Sequence, residues 1–516
     1  MTDLGLAADR IEARAEARSE AKPQTETDVA IVGSGFSGLG MAIQLEKHGR
    51  KDFLVLEKAG DLGGTWRDNT YPGAACDVPS HLYSFSFAMN PDWSHSFSPQ
   101  AEIWSYLKRC ASEAGITDRI RFNHEVFAAR FDDQKRRWFI ETTGGVISAR
   151  ILVAGAGPLS EPRIPNVPGL QYFPGPVFHS ARWDHDVDLS GKTVAVVGTG
   201  ASAIQFVPEI QPVAEKVVVF QRTPPWVTPR RDRALSPLEQ SLFRTVKESE
   251  KIPRALVYWF RETYLLWFLH AQRAGRVTKL ARKFIEQQVP NRELRAKLTP
   301  DYTIGCKRIL ISNDWYPTLQ KSNVELIDSG LAEVRGSSLI SSDGQVQMAD
   351  VLIFGTGFHV TDMPFAERVF SGDGTKLADA WSSGMEAYLG TSVAGFPNLF
   401  FLVGPNTGLG HNSLVFMIES QVTYVLDALR TMDEMGDDVL VVREAVQERF
   451  NEELQRRLGP TVWNSGGCRS WYLDKRGRNT TIWPGYTWDF RRRTRHFDRS
   501  AYEGIKSPAP AGASDR

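Results

Sequence analysis

The chain is poor in the features that would mark several common classes of protein. It has only four cysteines in 516 residues, at 76, 110, 306 and 468, and no two of them have C-x-x-C spacing. That argues against a metal cluster, a disulfide framework and a dithiol flavin reductase, and it makes a reducing cytoplasm the simplest home. Charge of one sign is not in excess: Lys+Arg and Asp+Glu are both 61. Net charge therefore gives no reason to expect nucleic acid or an anionic membrane as partner. The most lipid-like stretch, Ala255 to Ala271, is interrupted by Arg261 and Glu262 and falls short of the ~18 uninterrupted apolar residues of a membrane span. It reads as a buried or tunnel-lining helix, with surface contact to a membrane as the alternative. The first 27 residues hold a charged, alanine-rich stretch without the apolar core of a secretory signal, so a frayed helix or disordered arm is expected there. No H-E-x-x-H, EF-hand or G-x-S-x-G motif occurs, which leaves metal and serine-hydrolase chemistry little support.

What is present is the composition of an ordinary globular protein, 42% hydrophobic and 24% charged, with length for two or three domains. Two segments have the form strand, glycine loop, helix, strand. In the first, the apolar run Asp28 to Val32 enters Gly33-Ser34-Gly35-Phe36-Ser37-Gly38, a helical stretch follows, and the strand Phe53 to Leu56 ends on Glu57. The first glycine of G-x-G-x-x-G makes a tight turn, the second admits pyrophosphate to the backbone N–H groups, and the third lets helix and strand pack closely. An acid in the position of Glu57 accepts from a ribose hydroxyl. The second unit runs from Thr193 to Val197 into Gly198-Thr199-Gly200-Ala201-Ser202-Ala203, and its next strand ends in Gln221-Arg222-Thr223. A carboxylate there would repel a 2′-phosphate, whereas Arg222 and Thr223 would bind one, so this site suits NADPH over NADH.

One dinucleotide site for each of two cofactors points to a flavoprotein with a nicotinamide partner. Two further apolar strands end in Ala154-Gly155-Ala156-Gly157 and Phe354-Gly355-Thr356-Gly357. They mark where the chain leaves one nucleotide domain and returns to it. The expected architecture is α/β with two Rossmann-like domains, the second inserted into the first, and a helical subdomain. The expected boundaries are an arm over 1–27, the first domain over 28–158 and 359–516, and the second over 159–234 and 299–358. A helical insertion takes 235–298; it either shapes a substrate pocket or packs on the second domain.

Phe173-Pro174-Gly175-Pro176-Val177-Phe178-His179-Ser180-Ala181-Arg182-Trp183-Asp184 fits F-x-G-x-x-x-H-x-x-x-W-(P/D) at every fixed position. This resembles the fingerprint of type I (class B) Baeyer–Villiger monooxygenases, flavoenzymes that insert one oxygen atom beside a ketone carbonyl. The resemblance implies FAD in the first site and NADPH in the second. It implies oxidation of ketones to esters or lactones by dioxygen through a C4a-peroxyflavin, which needs a permanent cation beside the flavin. Cys306-Lys307-Arg308 resembles the segment carrying the family's catalytic arginine, although Ile309 stands where the family often has proline. Arg308 is then the catalytic cation, with Lys307 reaching the 2′-phosphate beside Arg222. Tyr71-Pro72-Gly73-Ala74-Ala75-Cys76-Asp77 resembles the segment whose aspartate lies against that arginine. The same resemblance puts Thr65, Trp66, Tyr83 and Val126 near FAD, Trp471 in a loop over the nicotinamide, and His179 in a coupling role between the domains. The aromatic-rich insertion and Asn313-Asp314-Trp315-Tyr316-Pro317 loosely resemble the hydroxyacetophenone (aryl-ketone) branch, and linear and cyclic aliphatic ketones stay open beside it. Two alternatives stay open: a flavin monooxygenase acting on nitrogen or sulfur, and a non-catalytic flavoprotein.

Overall fold

The computed structural model describes residues 23–246 and 248–506. The expected arm lies outside the described residues up to 22. Residues 25–27 were placed in that arm, but they belong to the first strand, Thr25–Val32, which pairs in parallel with Ile147–Ala154 from its first residue. Main-chain pairing extends this strand past its apolar part, which is why hydrophobicity alone started it late.

Two sheets form the frame. In the first, the strand order is Val369–Phe370, Val126–Asp132, Arg137–Thr142, Gly145–Ala154, Thr25–Val32, Phe53–Leu56, Ile120–Arg121, and Leu399–Phe401 also pairs with Gly145–Ala154. The second is all parallel, in the order Val324–Ile327, Lys216–Phe220, Thr193–Val197, Val351–Phe354, Val177–His179. Its central strands carry the runs VAVV, VVVF and VLIF, buried almost throughout. Such unbroken apolar strands are what a parallel sheet covered on both faces requires. The chain leaves the first sheet after Ala154, completes the second between Val177 and Phe354, and returns to the first at Val369. The second nucleotide-binding unit is thus inserted into the first.

Residues 235–298 form helices Pro237–Thr245, Lys251–Phe268, Gly275–Gln288 and Arg292–Leu298. In Lys251–Phe268 the residues Arg254, Tyr258, Arg261, Leu265 and Phe268 recur at spacings of four and three, so they share one face. Leu265 and Phe268 are buried in the core of the second sheet, while Val257 and Tyr258 pack on the core of the first. Burying each large apolar side chain contributes roughly 1.5–3 kcal/mol, so this helix is held to both units. Among the described residues no helix is long and apolar enough to cross a membrane.

Candidate active site

Both glycine cradles have the shape a dinucleotide needs. Gly33 has φ +93°, and a Cβ there would lie 2.8 Å from the Gly155 carbonyl oxygen; one on Gly38 would strike the Gly33 carbonyl. The middle glycine differs, because a Cβ on Gly35 would meet only the Gly64 Cα at 3.7 Å. Space remains above its main chain, and no side chain caps the helix Phe36–Lys47 that starts there, so its first N–H groups are free for phosphate oxygens. Glu57, at the end of the next strand, accepts from the Ser34 N–H at 3.0 Å and hydroxyl at 2.7 Å. Arg67 donates to its other oxygen at 2.8 Å. Around this cradle a cleft is lined by Thr65, Trp66, Tyr83 and Val126 together with Gly155–Glu161. These residues fit FAD: a ribose acceptor, a pyrophosphate turn and an apolar, aromatic-walled extension.

The second cradle repeats the design. Gly198 has φ +110° and approaches the Gly355 carbonyl, while a Cβ on Gly200 would meet nothing closer than 3.8 Å. Ala203 is fully buried at the start of the helix Ala203–Ile210, and Thr199 donates to the Thr223 carbonyl. Arg222 is exposed at the strand end. The Lys307 ammonium lies 4.9 Å from the Tyr302 ring centre, and its pKa is lowered by burial first and by the Arg222 charge second. Two cations that repel each other at the end of a nucleotide-binding strand fit a phosphate. The sites therefore suit FAD and NADP(H) respectively.

Between the cradles lies a charged pair. Arg308 binds Asp77 with both prongs of its guanidinium, Nε to Oδ2 at 2.7 Å and Nη2 to Oδ1 at 2.6 Å. The Arg308 side chain is 35% exposed and that of Asp77 25%, so a small molecule can reach both. Burial alone would raise the Asp77 carboxyl, but the Arg308 charge, its hydrogen bonds and then Arg261 hold it below its ordinary value. The Arg308 guanidinium is raised in turn, first by Asp77. Tyr83, which lines the first cleft, feels both charges, so the pair borders the FAD site. The segment from Tyr71 to Asp77 is also moulded onto the second unit. The Tyr71 hydroxyl donates to Gln205 at 3.0 Å, Gln205 donates to the Ala75 carbonyl at 3.0 Å, and a Cβ on Gly73 would lie 2.9 Å from the Gln205 carbonyl.

The fingerprint residues brace the crossing between sheets. Phe173 is in the core, a Cβ on Gly175 would clash with the Asp350 carbonyl, and Trp183 packs edge-on to Phe178 and against Phe206. His179 is 2% exposed and its ring lies against Phe358 of the return crossing. Burial pushes it down to about 4, so it is neutral at pH 7 and accepts from the Ala181 N–H through Nδ1.

Three features escaped the sequence. The expectation of unpaired cysteines fails for two of them: Cys306, next to Lys307-Arg308, is bonded to Cys468, 162 residues away. Spacing rules address cysteines that are close in sequence, and here the fold brings distant ones together. Cys76 and Cys110 are free and buried. Secondly, Tyr472, which packs against the expected Trp471 (44% exposed), has a buried phenol that senses Arg308 and Asp77, as Tyr83 does. Thirdly, Arg261 donates to the Asp77 carbonyl at 3.0 Å. The signal for it was the charge interrupting the apolar stretch. Conversely, Trp315 and Tyr316 are buried in the core of the second sheet, and so argue for no particular ketone.

The family described as pyridine nucleotide-disulphide oxidoreductase matches residues 30–257. A Baeyer-Villiger monooxygenase of Streptomyces coelicolor is 53% identical over 485 residues, covering 94% of this chain and 93% of that protein. One of Pseudomonas aeruginosa is 50% identical over 486 residues, covering 94% and 92%. Among solved structures, OTEMO in complex with FAD and NADP has a TM-score of 0.84 at 27% identity, covering 94% of this chain and all of that one. Oxidised steroid monooxygenase bound to NADP has a TM-score of 0.81 at 28% identity with the same coverage.

Proposed function

The chain belongs to the Baeyer–Villiger monooxygenase family, and from that premise we propose that it uses FAD, NADPH and dioxygen to convert ketones to esters or lactones. The observation that carries this reading is the two-pronged Arg308–Asp77 pair, partly open and near Tyr83 of the FAD cleft. When bound, the flavin supplies the two-electron relay and the activation of dioxygen. The chain's own residues supply binding, placement and charge. Gly33, Ser34, Gly35, Gly38 and Glu57 hold the FAD pyrophosphate and ribose, with Thr65, Trp66, Tyr83 and Val126 along its flank. Gly198 to Ala203 would hold the nicotinamide dinucleotide and Arg222, Thr223 and Lys307 its 2′-phosphate, with the exposed Trp471 available to cover the nicotinamide. Arg308 faces the ketone oxygen and stabilises the negative charge that grows there.

Ketone chemistry over nitrogen or sulfur oxidation fits the weak acidity of the titratable groups that face the Arg308–Asp77 pair among the described residues. Burial pushes the phenols of Tyr71 and Tyr472 up to about 12 and raises Cys76 and Tyr83 as well. At neutral pH these groups keep their protons, and the guanidinium does not give one up. We take 25–158 with 359–506 as the FAD domain, 159–234 with 299–358 as the NADPH domain, and 235–298 as a helical insertion that reaches the site through Arg261. The cytoplasm, where NADPH and FAD are made and recycled, is the place of action we propose, although the Cys306–Cys468 bond removes the support that the sparse cysteines gave it.

The test is mass spectrometry of products from the FAD-loaded protein, NADPH and heavy dioxygen with a panel of aryl, linear and cyclic ketones, amines and sulfides. An ester or lactone with one heavy oxygen is expected, and the panel decides between aryl ketones and the rest. Labelled N-oxide or sulfoxide alone would refute the reading.

A further inference from the structure

The helix Lys251–Phe268 carries adjacent opposite charges, Arg261 and Glu262, inside an apolar stretch. They do not pair with each other. Glu262 is buried and accepts from Asn412 at 2.5 Å and from the Thr487 hydroxyl at 2.8 Å, clamping the helix to the FAD-binding unit. One face of the same helix adds Arg254, which donates to the His81 and Ser84 carbonyls, and Tyr258, bonded to Thr487. Arg261 needs another explanation. Its charge is disfavoured by burial and also by Arg308, and Asp77 is the first group to offset this. A guanidinium placed in an apolar helix beside a second guanidinium is costly, and an apolar residue would pack there without that cost.

We propose, on the reading above, that Arg261 is a positioning residue of the oxidation: it fixes the chain at Asp77 and keeps that carboxylate compensated while the Arg308 charge is shared with the substrate oxygen. Arg308 binds both oxygens of Asp77 through Nε and Nη2, which leaves its Nη1 donors for a ketone oxygen. Its single charge must then serve the carboxylate and the growing negative charge together, and without a second cation the carboxylate would be under-compensated in a partly buried site. Arg261 supplies that second charge. The three groups together carry one net positive charge, which presets the site for one new negative charge. The inserted helix thereby becomes part of the reaction machinery, and its docking completes the charge set.

The other groups facing Asp77 are the Cys76 thiol and the phenols of Tyr71, Tyr83 and Tyr472, all raised by burial. Asp77 is therefore the member of this cluster that titrates in the acid range. Its carboxyl is held low in the folded state, so its stabilisation is present above its unfolded value and is lost as pH falls.

The experiment compares FAD-loaded, full-length R261M, R261Q and R261K with the unaltered protein. Three quantities are read: the rate of flavin reduction by NADPH without oxygen, the share of NADPH yielding oxygenated product rather than hydrogen peroxide, and Tm against pH. R261M and R261Q are expected to reduce the flavin within about twofold of normal and to lose at least about tenfold in that share, the low end for a lost hydrogen bond to a charged group. The acid limb of their Tm curve becomes shallower, their deficit shrinking as pH falls, and R261K restores both. R261Q keeps a donor for the Asp77 carbonyl and carries the test if R261M does not accumulate. An unchanged product share, an unchanged acid limb, or a defect that lysine does not repair would overturn the proposal. If the unaltered protein oxygenates no ketone, the functional reading fails, while the acid limb still decides whether Arg261 compensates Asp77.

Discussion

Replacing Arg222 with alanine tests the assignment of the second cradle at its most specific point. Arg222 ends the strand after the glycine loop and faces solvent, and it is close enough to Lys307 to lower that lysine's pKa. A hydrogen bond to a charged group contributes about 1.5–3 kcal/mol. Arg222 is exposed and screened, so the lower end applies, which is about a tenfold loss in kcat/KM for NADPH. Lys307 is more enclosed, against Tyr302, and its replacement by methionine should cost nearer the upper end, about a hundredfold. NADH has no 2′-phosphate, so its kcat/KM should stay within about twofold in both variants. A second consequence has a definite sign. Removing the Arg222 charge lets the Lys307 pKa rise, so the alkaline loss of NADPH preference moves to higher pH in R222A. The assay is anaerobic bleaching of the flavin with each coenzyme, across pH and salt. Equal losses with NADPH and NADH, or no loss with NADPH, would refute a 2′-phosphate site here.

Arg308→Ala should still permit flavin reduction by NADPH but lower ester formation by at least about 10²–10³; an alanine variant with normal product yield would remove Arg308 from the chemistry. Glu262→Ala leaves Asn412 and Thr487 without their buried acceptor and should cost about 3 kcal/mol in denaturant unfolding. Burial would raise the Glu262 carboxyl, but its bond to His411 and the partners beyond hold it below its ordinary value. Its contribution is therefore complete above about pH 4.3 and lost on acidification, so the difference between E262A and the unaltered protein should shrink at low pH. A dithiol reductant should lower the Tm of the unaltered protein and leave that of a C306S/C468S variant unmoved, since only the former has a bond to lose; equal shifts would contradict the pairing.

Much of the design was legible because it is local. Gly33 to Gly38 and Gly198 to Ala203 work through neighbours within a few residues, and their glycines are imposed by main-chain contacts that any sequence with this turn must satisfy. Asp77 and Arg308 could be named from flanking patterns, although 231 residues separate them. Trp315 and Tyr316 show the limit of that method: the pattern suggested a substrate preference, and the structure uses both as core.

By itself, then, the sequence determined the two cradles, the acid and the arginine at their strand ends, and the insertion of one unit into the other. Periodicity and turn chemistry encode these within single elements. The tertiary structure decided which charges meet. The Cys306–Cys468 bond, the closeness of Tyr472 to the charged pair and the contact of Arg261 with Asp77 span 162, 164 (472 − 308) and 184 residues. Each exists only because the inserted helix and the late loop dock against the segments that carry Asp77 and Arg308. A residue's own neighbourhood in sequence carries no record of that docking, since packing of whole elements sets it.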